Sequence, residues 1–590
     1  MSKLSPAQEL AAHQRGHMLV AACPGAGKTT VLKHRAETLL RSTPDARVAA
    51  VTFTAEAAAS LKSRIIDQYP PAKALIEAGT FHSLCGAQLR RAGQHKTLIT
   101  EGKSAVWIRM AMGDCPLGTD GLDLGDIQMQ IQAWQRELNP ELPSIESSAA
   151  AWIYDHYTRQ KAKNGVRDFG DLITDAVLGM RNGTVPPLDV AFMLVDEFQD
   201  SDNMQLEWVL EHARRGVEVT IVGDDDQAIY GWRGSLGYEG MLRFQRETRA
   251  ALVTLDRTFR CTVDVLKPAA VLIGHNVARV PKKLVTSNPD PGQVRVRTFA
   301  DREGEVLAII KAIRDGGDPE SWCVIARTNG LLDELEARIA SHDFPYTRSG
   351  GRSFWDQKAP GMLLSMASSL ANRDMMGLGD LMQHAKVRPA VLNELSDRVR
   401  FDAPGSLDRF LGAPPPRSCS ANDRQLLTHL QTQVRQWDRL GATASGLPLA
   451  LNGMALAIHK VYPWRGTEHA EAGKRLAQAA ESIGGMKGSL SQRLKSMAHG
   501  KKRETKGASL LTMHASKGLE FDHVWLMGVE DGTLPSARDG ADTDEERRLL
   551  YVGITRAKGD LTLSYSLERG PSKFLRESRL LGSDLLADVA

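Results

Sequence analysis

The sequence predicts an α/β protein with two units, each a parallel β-sheet flanked by helices and each carrying a mainly helical insertion. Short apolar runs rich in β-branched residues alternate with helical patterns near both ends of the chain, which is typical of parallel sheets. Two long internal stretches lack such runs. The 590 residues also exceed what one core holds, because single domains usually contain about 100–200 residues.

In the first unit, the strand-like runs lie on both sides of residues 91–185, which have a polar and helical pattern. The pattern predicts a buried strand over 17–23 and a helix directly after it over 28–41. Further strands are predicted over 47–53, 190–198 and 217–224. We therefore assign residues 1–90 and 186–275 to the first α/β unit and residues 91–185 to its insertion.

The second unit repeats this arrangement. A helix is predicted over 302–315, and residues 386–505 lack strand-like runs and end in the basic segment 500–507. Strands are predicted over 293–300, 321–327, 508–514, 522–528 and 560–566. We assign residues 276–385 and 506–590 to the second unit and residues 386–505 to a small helical insertion.

Composition excludes several classes of protein. The net charge of +3 permits a nucleic-acid partner without arguing for one. The six cysteines form no pair with metal-ligand spacing, so buried free thiols in a reducing cytosol are expected. Neither a signal peptide nor an apolar run of about 20 residues is recognisable, which predicts a soluble cytoplasmic protein without membrane contact.

The segment ACPGAGKTT, residues 22–30, has the pattern of a phosphate-binding P-loop between a strand and a helix. Gly25 and Gly27 allow backbone N–H groups to curl around phosphate oxygens, and the helix N-terminus adds positive potential. Lys28 is placed to reach the β- and γ-phosphates, and the Thr29 hydroxyl can ligate Mg²⁺. The predicted phosphate-binding residues are Ala22, Cys23, Pro24, Gly25, Ala26, Gly27, Lys28, Thr29 and Thr30.

A second catalytic element is FMLVDEFQD, residues 192–200, in which an apolar run ends at Asp196 and Glu197. Asp196 can hold Mg²⁺ together with Thr29, and Glu197 can orient or deprotonate the attacking water. Such a pair is usually a solvated helix start, but its place after a buried strand and downstream of a P-loop favours catalysis. Signatures of guanine-nucleotide binding are missing from the sequence, which favours ATP.

The complete series of motifs resembles that of superfamily 1A DNA helicases, the UvrD/Rep/PcrA group. Ala55-Glu56 replace the usual Asn-Lys of this family, and Phe259 stands where a tyrosine is common. The matching segments, in order, are LSPAQ (4–8), ACPGAGKTT (22–30), VTFTAEAAASLKSR (51–64), GTFHSL (79–84), DFGDLI (168–173), VDEFQD (195–200), GDDDQAIYGWRGS (223–235), LDRTFRCT (255–262), GGRSFWDQ (350–357), LLTMHASKGLEFDHVWLMG (510–528), EERRLLYVGITRAK (545–558) and LERGPSKFLRE (567–577).

The resemblance implies two RecA-like motor domains, 1A and 2A, with insertions 1B and 2B, and ATP bound between the motor domains. Gln8 would contact the adenine edge, and Phe259 and Arg35 would stack on its two faces. Glu520 would approach the ribose. Arg260 and Arg556 would reach the phosphates from the far side of the cleft, although Arg556 is also explicable as a charge on a helix surface.

Single-stranded DNA would cross both motor domains, with bases stacked on aromatic side chains. The predicted stacking residues are Phe53, Tyr230 and Trp232, with Phe81 as a weaker candidate. Core packing is the alternative for Phe53 and Phe81, and structural hydrogen bonding is the alternative for the histidines. Further DNA contacts are predicted for Thr54, Thr80, His82, Arg233, Thr512 and His514, and residues 501–506 are either a duplex contact or a solvated loop.

Residues 221–235 place three adjacent aspartates, 224–226, just before the aromatic residues. Adjacent side chains on a loop diverge, and Mg²⁺ already has Thr29 and Asp196, so we do not expect these acids to be mainly a metal site. We interpret the segment as a junction. Gln227 would sense the γ-phosphate, and Tyr230, Trp232 and Arg233 would contact DNA a few residues later.

These expectations define a 3′→5′ ATP-dependent DNA helicase or translocase acting in repair, recombination or replication, with the 3′→5′ direction implied by the resemblance alone. Its substrates would be single-stranded DNA and 3′-tailed duplex DNA, and its cofactors ATP and Mg²⁺. Two alternatives stay open. One is a translocase that mainly displaces bound proteins; the other is a DNA-independent P-loop switch or defence module.

Overall fold

The computed structural model describes residues 4–43, 45–339, 342, 345–464, 466–502, 506–538 and 540–582, with side chains of 498–502 left undescribed. The chain forms two compact units. The first contains Met1–Gly292 and Asp542–Tyr551, and the second contains Gln293–Ala541 and Val552–Ala590. Within the described ranges, no helix is long and apolar enough to cross a membrane.

The first unit is built on a six-stranded parallel sheet. Its strands are β1 (Met18–Ala22), β2 (Val48–Thr52), β3 (Ile76–Thr80), β4 (Thr97–Leu98), β5 (Val166–Arg167), β6 (Phe192–Val195), β7 (Glu218–Gly223), β8 (Ala251–Leu255), β9 (Arg257–Thr258) and β10 (Val285–Thr286). The large sheet has the order β3-β2-β6-β7-β1-β8, whereas β4 pairs with β5 and β9 with β10. All of these pairings are parallel.

Helices cover both faces of this sheet. They are α1 (Pro6–His13), α2 (Lys28–Ser42), α3 (Ala55–Gln68), α4 (Phe81–Arg91), α5 (Glu101–Asp114), α6 (Leu124–Gln135), α7 (Ala149–Lys163), α8 (Phe169–Arg181), α9 (Asn203–Arg214), α10 (Gly237–Thr248) and α11 (Val263–Ile273). Alternate β1 residues point to opposite faces. Leu19 joins the core formed with α4, α8, α9 and α10, while Val20 joins the core formed with α1, α2 and α3.

The helical insertion of the first unit has a small core of its own. Ile108 of α5, Ile131 of α6 and Ile153 of α7 are buried together there. Helix α8 differs, because Ile173 and Val177 pack into the core of the large sheet. By packing, the insertion therefore ends before α8, although residues up to 185 were assigned to it.

The second unit repeats the plan with another six-stranded parallel sheet, in the order β11-β16-β15-β12-β14-β13. Its strands are β11 (Gln293–Phe299), β12 (Trp322–Ala326), β13 (Tyr346–Ser349), β14 (Ala508–Thr512), β15 (Phe521–Met527) and β16 (Ala557–Ser566). Its helices are α12 (Arg302–Asp315), α13 (Asn329–Ile339), α14 (Lys358–Asn372), α15 (Met376–His384), α16 (Pro389–Val399), α17 (Ser406–Gly412), α18 (Ala421–Gly441), α19 (Leu447–Val461), α20 (Glu468–Gly485), α21 (Leu490–Lys502), α22 (Thr543–Ile554) and α23 (Lys573–Glu577).

Helices α14–α21 form one helical subdomain with a continuous core. Leu363 of α14, Trp437 of α18 and Leu451 of α19 are buried in it together. This core begins about one helix pair earlier than residue 386, the predicted start of the insertion. Residues 503–505 of the basic segment lie outside the described residues, and so do the side chains of residues 501 and 502.

The predicted fold class, two α/β units with parallel sheets and helical insertions, is confirmed. One predicted boundary differs, because residues 276–292 belong to the first unit and not to the second. Strand β10 pairs with β9, and Arg279 and Lys282 form ion pairs with the aspartates that follow β7. These long-range contacts hold the segment in the first unit.

Candidate nucleotide and nucleic-acid site

In the first unit, the predicted site residues follow the carboxyl ends of parallel strands. The P-loop follows β1, Phe53 follows β2, and Phe81 follows β3. Asp196 follows β6, and Asp224 follows β7. Parallel strands end at the same edge of a sheet, which is where ligands bind in open α/β folds. The order of the strands therefore gathers residues that are up to about 200 positions apart in sequence.

The P-loop has the conformation that phosphate binding requires. Gly25 and Gly27 adopt φ angles of +71° and +78°, which residues with a Cβ rarely adopt. A Cβ at Gly25 would lie 2.6 Å from the Arg260 Cβ, and one at Gly27 would lie 2.8 Å from the Gln8 Nε2. Backbone N–H groups before α2 can thus approach a ligand closely. Ala22, Cys23, Pro24 and Ala26 are buried, and Thr29 and Thr30 are half-buried.

Lys28 and Glu197 form an ion pair, with Nζ 2.6 Å from Oε2. Burial acts to lower the pKa of Lys28, but the charges of Glu197 and Asp196 hold it above its usual value. Burial and the neighbouring Glu197 charge raise the pKa of Asp196 to about 6. Glu197 has a φ of +52°, and such strain is found mainly at functional sites. Two adjacent carboxylates beside one lysine are a suitable environment for an additional cation.

A chain of hydrogen bonds leads from Glu197 to the segment after β7. Gln199 Nε2 donates to Glu197 Oε2 over 2.7 Å, and its Oε1 accepts from the Asp224 N–H over 2.9 Å. Gln227 Nε2 donates to Asp224 Oδ2 over 2.5 Å. The residue predicted to sense phosphate is therefore connected to the predicted catalytic glutamate, although its side chain is almost fully buried.

The three aspartates converge, contrary to the expectation that adjacent side chains diverge. One oxygen of each lies within 4.8 Å of the others. Lys282 Nζ lies 2.9, 2.6 and 3.0 Å from oxygens of Asp224, Asp225 and Asp226. Burial acts to lower the pKa of Lys282, and the three carboxylates raise it above its usual value. Sequence reasoning missed this lysine because it is more than 50 positions from its partners.

Arg35 was predicted to stack on adenine, and this prediction is wrong. Its side chain is 0% exposed, so no face of the guanidinium is open to a base. The guanidinium donates to Thr220 Oγ1, to Glu218 and to carbonyl oxygens that include Ala11 O at 3.1 Å and Gln14 O at 2.6 Å. Arg35 instead ties α2 to α1 and β7.

The remaining adenine-site residues of the first unit lie beside the P-loop. Gln8 Nε2 donates to Ala26 O over 3.0 Å, so an adenine contact would require an exchange of partners. Phe259 is 50% exposed, and its N–H donates to Gly25 O over 3.0 Å. Arg260, expected to reach the phosphates from the far side of the cleft, belongs to the same unit as the P-loop and adjoins Gly25. That expectation is corrected.

The aromatic residues after β7 form a cation–π cluster on the surface. The guanidinium of Arg233 lies 4.5 Å from the centre of the Trp232 ring and 5.5 Å from that of Tyr230. Trp232 is 63% exposed. The N–H of Gly231 is hydrogen-bonded to Glu545 of α22, within the same unit. An exposed ring beside a fixed cation is a suitable platform for a stacked base.

The aromatic residues after β2 and β3 divide into two groups. Phe81 is 1% exposed and lies between Phe53 and Trp208, so the DNA contact considered for it is wrong and core packing is correct. Phe53 is half-buried. Thr54 and Thr80 cap α3 and α4 through their hydroxyl oxygens.

Sequence reasoning missed one exposed aromatic side chain. Phe169 is 45% exposed and packs edge-on against His82, with ring centres 6.0 Å apart. Burial lowers the pKa of His82, which favours a neutral imidazole. Both rings border a cavity of about 470 Å³ that Arg90 and Lys96 also line. The motif DFGDLI contained the signal, because its phenylalanine follows a helix-capping aspartate.

In the second unit, Thr512 ends β14 and its hydroxyl accepts from the Ala515 N–H over 3.3 Å. His514 is half-buried and Glu520 is exposed. Arg556 is 1% exposed, and its guanidinium donates to Val552 O over 2.9 Å and to Leu519 O over 3.1 Å. The roles of these four residues stay predictions.

Comparison with known proteins agrees with this geometry. Proteins named ATP-dependent DNA helicase PcrA are similar to this chain, with 28% identity in Leuconostoc citreum and 27% in Staphylococcus aureus and Staphylococcus epidermidis. The alignments cover 95% of this chain and 83% or 84% of each relative. The UvrD/REP helicase N-terminal domain matches residues 4–248, and the UvrD-like helicase C-terminal domain matches residues 476–568. These two segments cover more than half of the chain, which belongs to the family of UvrD-like helicases.

Proposed function

We propose that this helicase uses ATP to move 3′→5′ along single-stranded DNA and unwinds 3′-tailed duplexes. One observation carries the proposal. A single short segment after β7 joins Gln227, which is linked to the catalytic glutamate, to the exposed cluster of Tyr230, Trp232 and Arg233. The segment can couple nucleotide chemistry to base stacking because any movement of one end displaces the other.

In the nucleotide site, Thr29 and Asp196 would hold Mg²⁺, which neutralises phosphate charge when bound. The buried, paired carboxylates fit such a cation. Lys28 would exchange Glu197 for the phosphates, which removes its charge from the glutamate. Glu197 would then accept a proton from the attacking water. Arg260, beside Gly25, is placed to stabilise phosphate charge, and Phe259 offers a face to adenine.

In the DNA site, Trp232 and Tyr230 would stack on bases while Arg233 pairs with the backbone. Phe53, Thr54, Thr80 and His82 lie after neighbouring strands of the same sheet and would extend this path, with Phe169 added. Thr512 and His514 would contribute from the second unit. A cytoplasmic location is also part of the proposal, and it is supported by six free cysteines, five of them buried.

The test is ATPase activity with and without single-stranded DNA. Lys28→Ala and Glu197→Gln are expected to lower the stimulated rate by about 100-fold or more, because each removes a group from the reacting centre. Lys33→Ala, on the same helix α2, is the control and should retain activity. An ATPase that is indifferent to DNA would instead support the DNA-independent switch.

Strand displacement on 3′-tailed, 5′-tailed and blunt duplexes tests the direction. The proposal requires ATP-dependent unwinding of the 3′-tailed substrate alone. Displacement of streptavidin from a biotinylated strand, measured in parallel, separates unwinding from protein removal. Rapid streptavidin release without duplex separation would favour the translocase that mainly displaces proteins.

A further inference from the structure

Three carboxylates that point to one place normally indicate a divalent cation. Asp224, Asp225 and Asp226 have this geometry, but the side chain of Lys282 occupies the centre. The lysine side chain is 0% exposed. Its ammonium group has one hydrogen for each carboxylate, so the three acids can all be paired by a single group.

The neighbouring chain completes the balance of charge. Arg279 donates two hydrogen bonds to Asp226, of 2.8 and 2.7 Å. The Val280 N–H donates to Asp225 over 2.7 Å. Two cations from residues 279–282 thus face three carboxylates, with no exchangeable ion required among these groups. Buried charges add little net stability, so the precise placement of an acid is the more plausible benefit of this arrangement.

Asp224 is the acid through which this charge can act on catalysis. Its Oδ1 accepts from Lys282 over 2.9 Å, and its Oδ2 accepts from Gln227 over 2.5 Å. Its N–H is bonded to Gln199, which is bonded in turn to Glu197. Lys282 also donates to Ala22 O, at the start of the P-loop, over 3.3 Å. One ammonium group therefore fixes a carboxylate that orients the amide of Gln227.

We propose that Lys282 is a positioning residue for ATP hydrolysis, in which a tethered ammonium takes the place of a divalent cation and holds Asp224 so that Gln227 faces the nucleotide. The inference rests on the role proposed for Gln227. A tethered charge cannot dissociate, so the geometry of Gln227 does not depend on the concentration of free Mg²⁺. Only the Mg²⁺ that accompanies ATP is then required.

The experiment compares Lys282→Met with Lys283→Met, because the neighbouring Lys283 is exposed and outside the site. DNA-stimulated ATPase rates, KM for ATP and thermal unfolding are measured for both. Lys282→Met is expected to lower kcat by about 10- to 100-fold, since small displacements of a catalytic group have effects of this size. KM and the affinity for single-stranded DNA should change by less than about threefold, because neither the P-loop nor the aromatic cluster is altered.

A double mutant separates positioning from general destabilisation. If Lys282 acts through Gln227, then Lys282→Met combined with Gln227→Ala should be no slower than Gln227→Ala alone, within about twofold. Multiplied effects would overturn the inference, and so would a wild-type kcat for Lys282→Met. If Gln227→Ala itself retains normal kcat and unwinding, the proposed role of Gln227 fails and the inference fails with it.

Loss of the lysine also leaves carboxylates without a partner, so Lys282→Met is paired with a charge-balanced variant. Lys282→Met with Asp225→Asn removes one charge of each sign and retains an oxygen for the Val280 N–H. This variant should fold and show the same loss of kcat. Normal kcat in the folded double variant would overturn the inference.

Discussion

Replacement of Trp232 by alanine gives a direct test of the DNA site. The ring is 63% exposed and lies 4.5 Å from the guanidinium of Arg233. Because it fills no core, its loss should change the free energy of unfolding by less than about 0.5 kcal/mol. Loss of one stacked base should weaken binding by about 1–3 kcal/mol, which is roughly a 5- to 150-fold rise in Kd.

Fluorescence anisotropy with a labelled oligothymidylate, at several salt concentrations, measures both affinity and its electrostatic part. The Trp232→Ala variant should bind more weakly with an unchanged salt dependence, because the ring has no charge. Arg233→Ala should instead reduce the slope of log K against log salt by about 0.7, the value for one phosphate contact on a single strand. Trp107→Ala is the control, since Trp107 also pairs with a cation, Lys103 at 5.2 Å, but lies on α5 of the helical insertion.

Three results would refute this reasoning. Wild-type affinity in Trp232→Ala would show that the cluster does not stack on DNA. An equal loss in Trp107→Ala would show that aromatic surface in general, rather than this segment, binds the oligonucleotide. A loss that follows a fall in melting temperature would assign the effect to folding.

Three further predictions concern the first unit. Gly25→Ala should abolish binding of a fluorescent ATP analogue, because its Cβ would lie 2.6 Å from that of Arg260, whereas Gly93→Ala, also at positive φ but with nothing within 4 Å, should bind normally. Burial raises the pKa of Asp202 to about 6, so native Asp202 retains a proton that the unfolded chain releases, and stability falls as pH rises from about 4 to about 6. Asp202→Asn keeps the helix cap and should therefore add about 1–3 kcal/mol to the unfolding free energy near pH 8 and nothing below about pH 4, as denaturant titration would show. Arg35→Ala should lower the free energy of unfolding by about 3–5 kcal/mol and leave the preference for adenine over guanine unchanged in folded protein.

The strands that the sequence predicted are those whose apolar residues are buried on both faces of a sheet. Strand β1 is one example, with all five residues buried. The strands that were missed, β3, β8 and β13, are all edge strands. An edge strand is covered on fewer sides, so it tolerates sequences such as IEAGT and YTRS that carry no continuous apolar signal.

The site was predictable where function depends on a local motif and not where it depends on distant partners. The P-loop glycines have the backbone angles that their motif requires. Arg35 was misassigned because a basic residue on a P-loop helix has no local mark that distinguishes burial from ligand contact. Lys282 was missed because its three partners are more than 50 positions away, and only the fold brings them together.

The order in which the chain leaves and rejoins the first unit has a consequence for its synthesis. Residues 542–551 complete that unit, and they supply the Glu545 partner of Gly231 and the Arg547 partner of Asn276. About 250 residues intervene after Gly292, which a ribosome needs roughly 10–50 s to add at 5–20 residues per second. Throughout that interval the nascent DNA-contacting loop lacks its support. A nascent motor is thus expected to acquire its nucleotide pocket before its grip on a strand, which keeps an unfinished chain from engaging the chromosome.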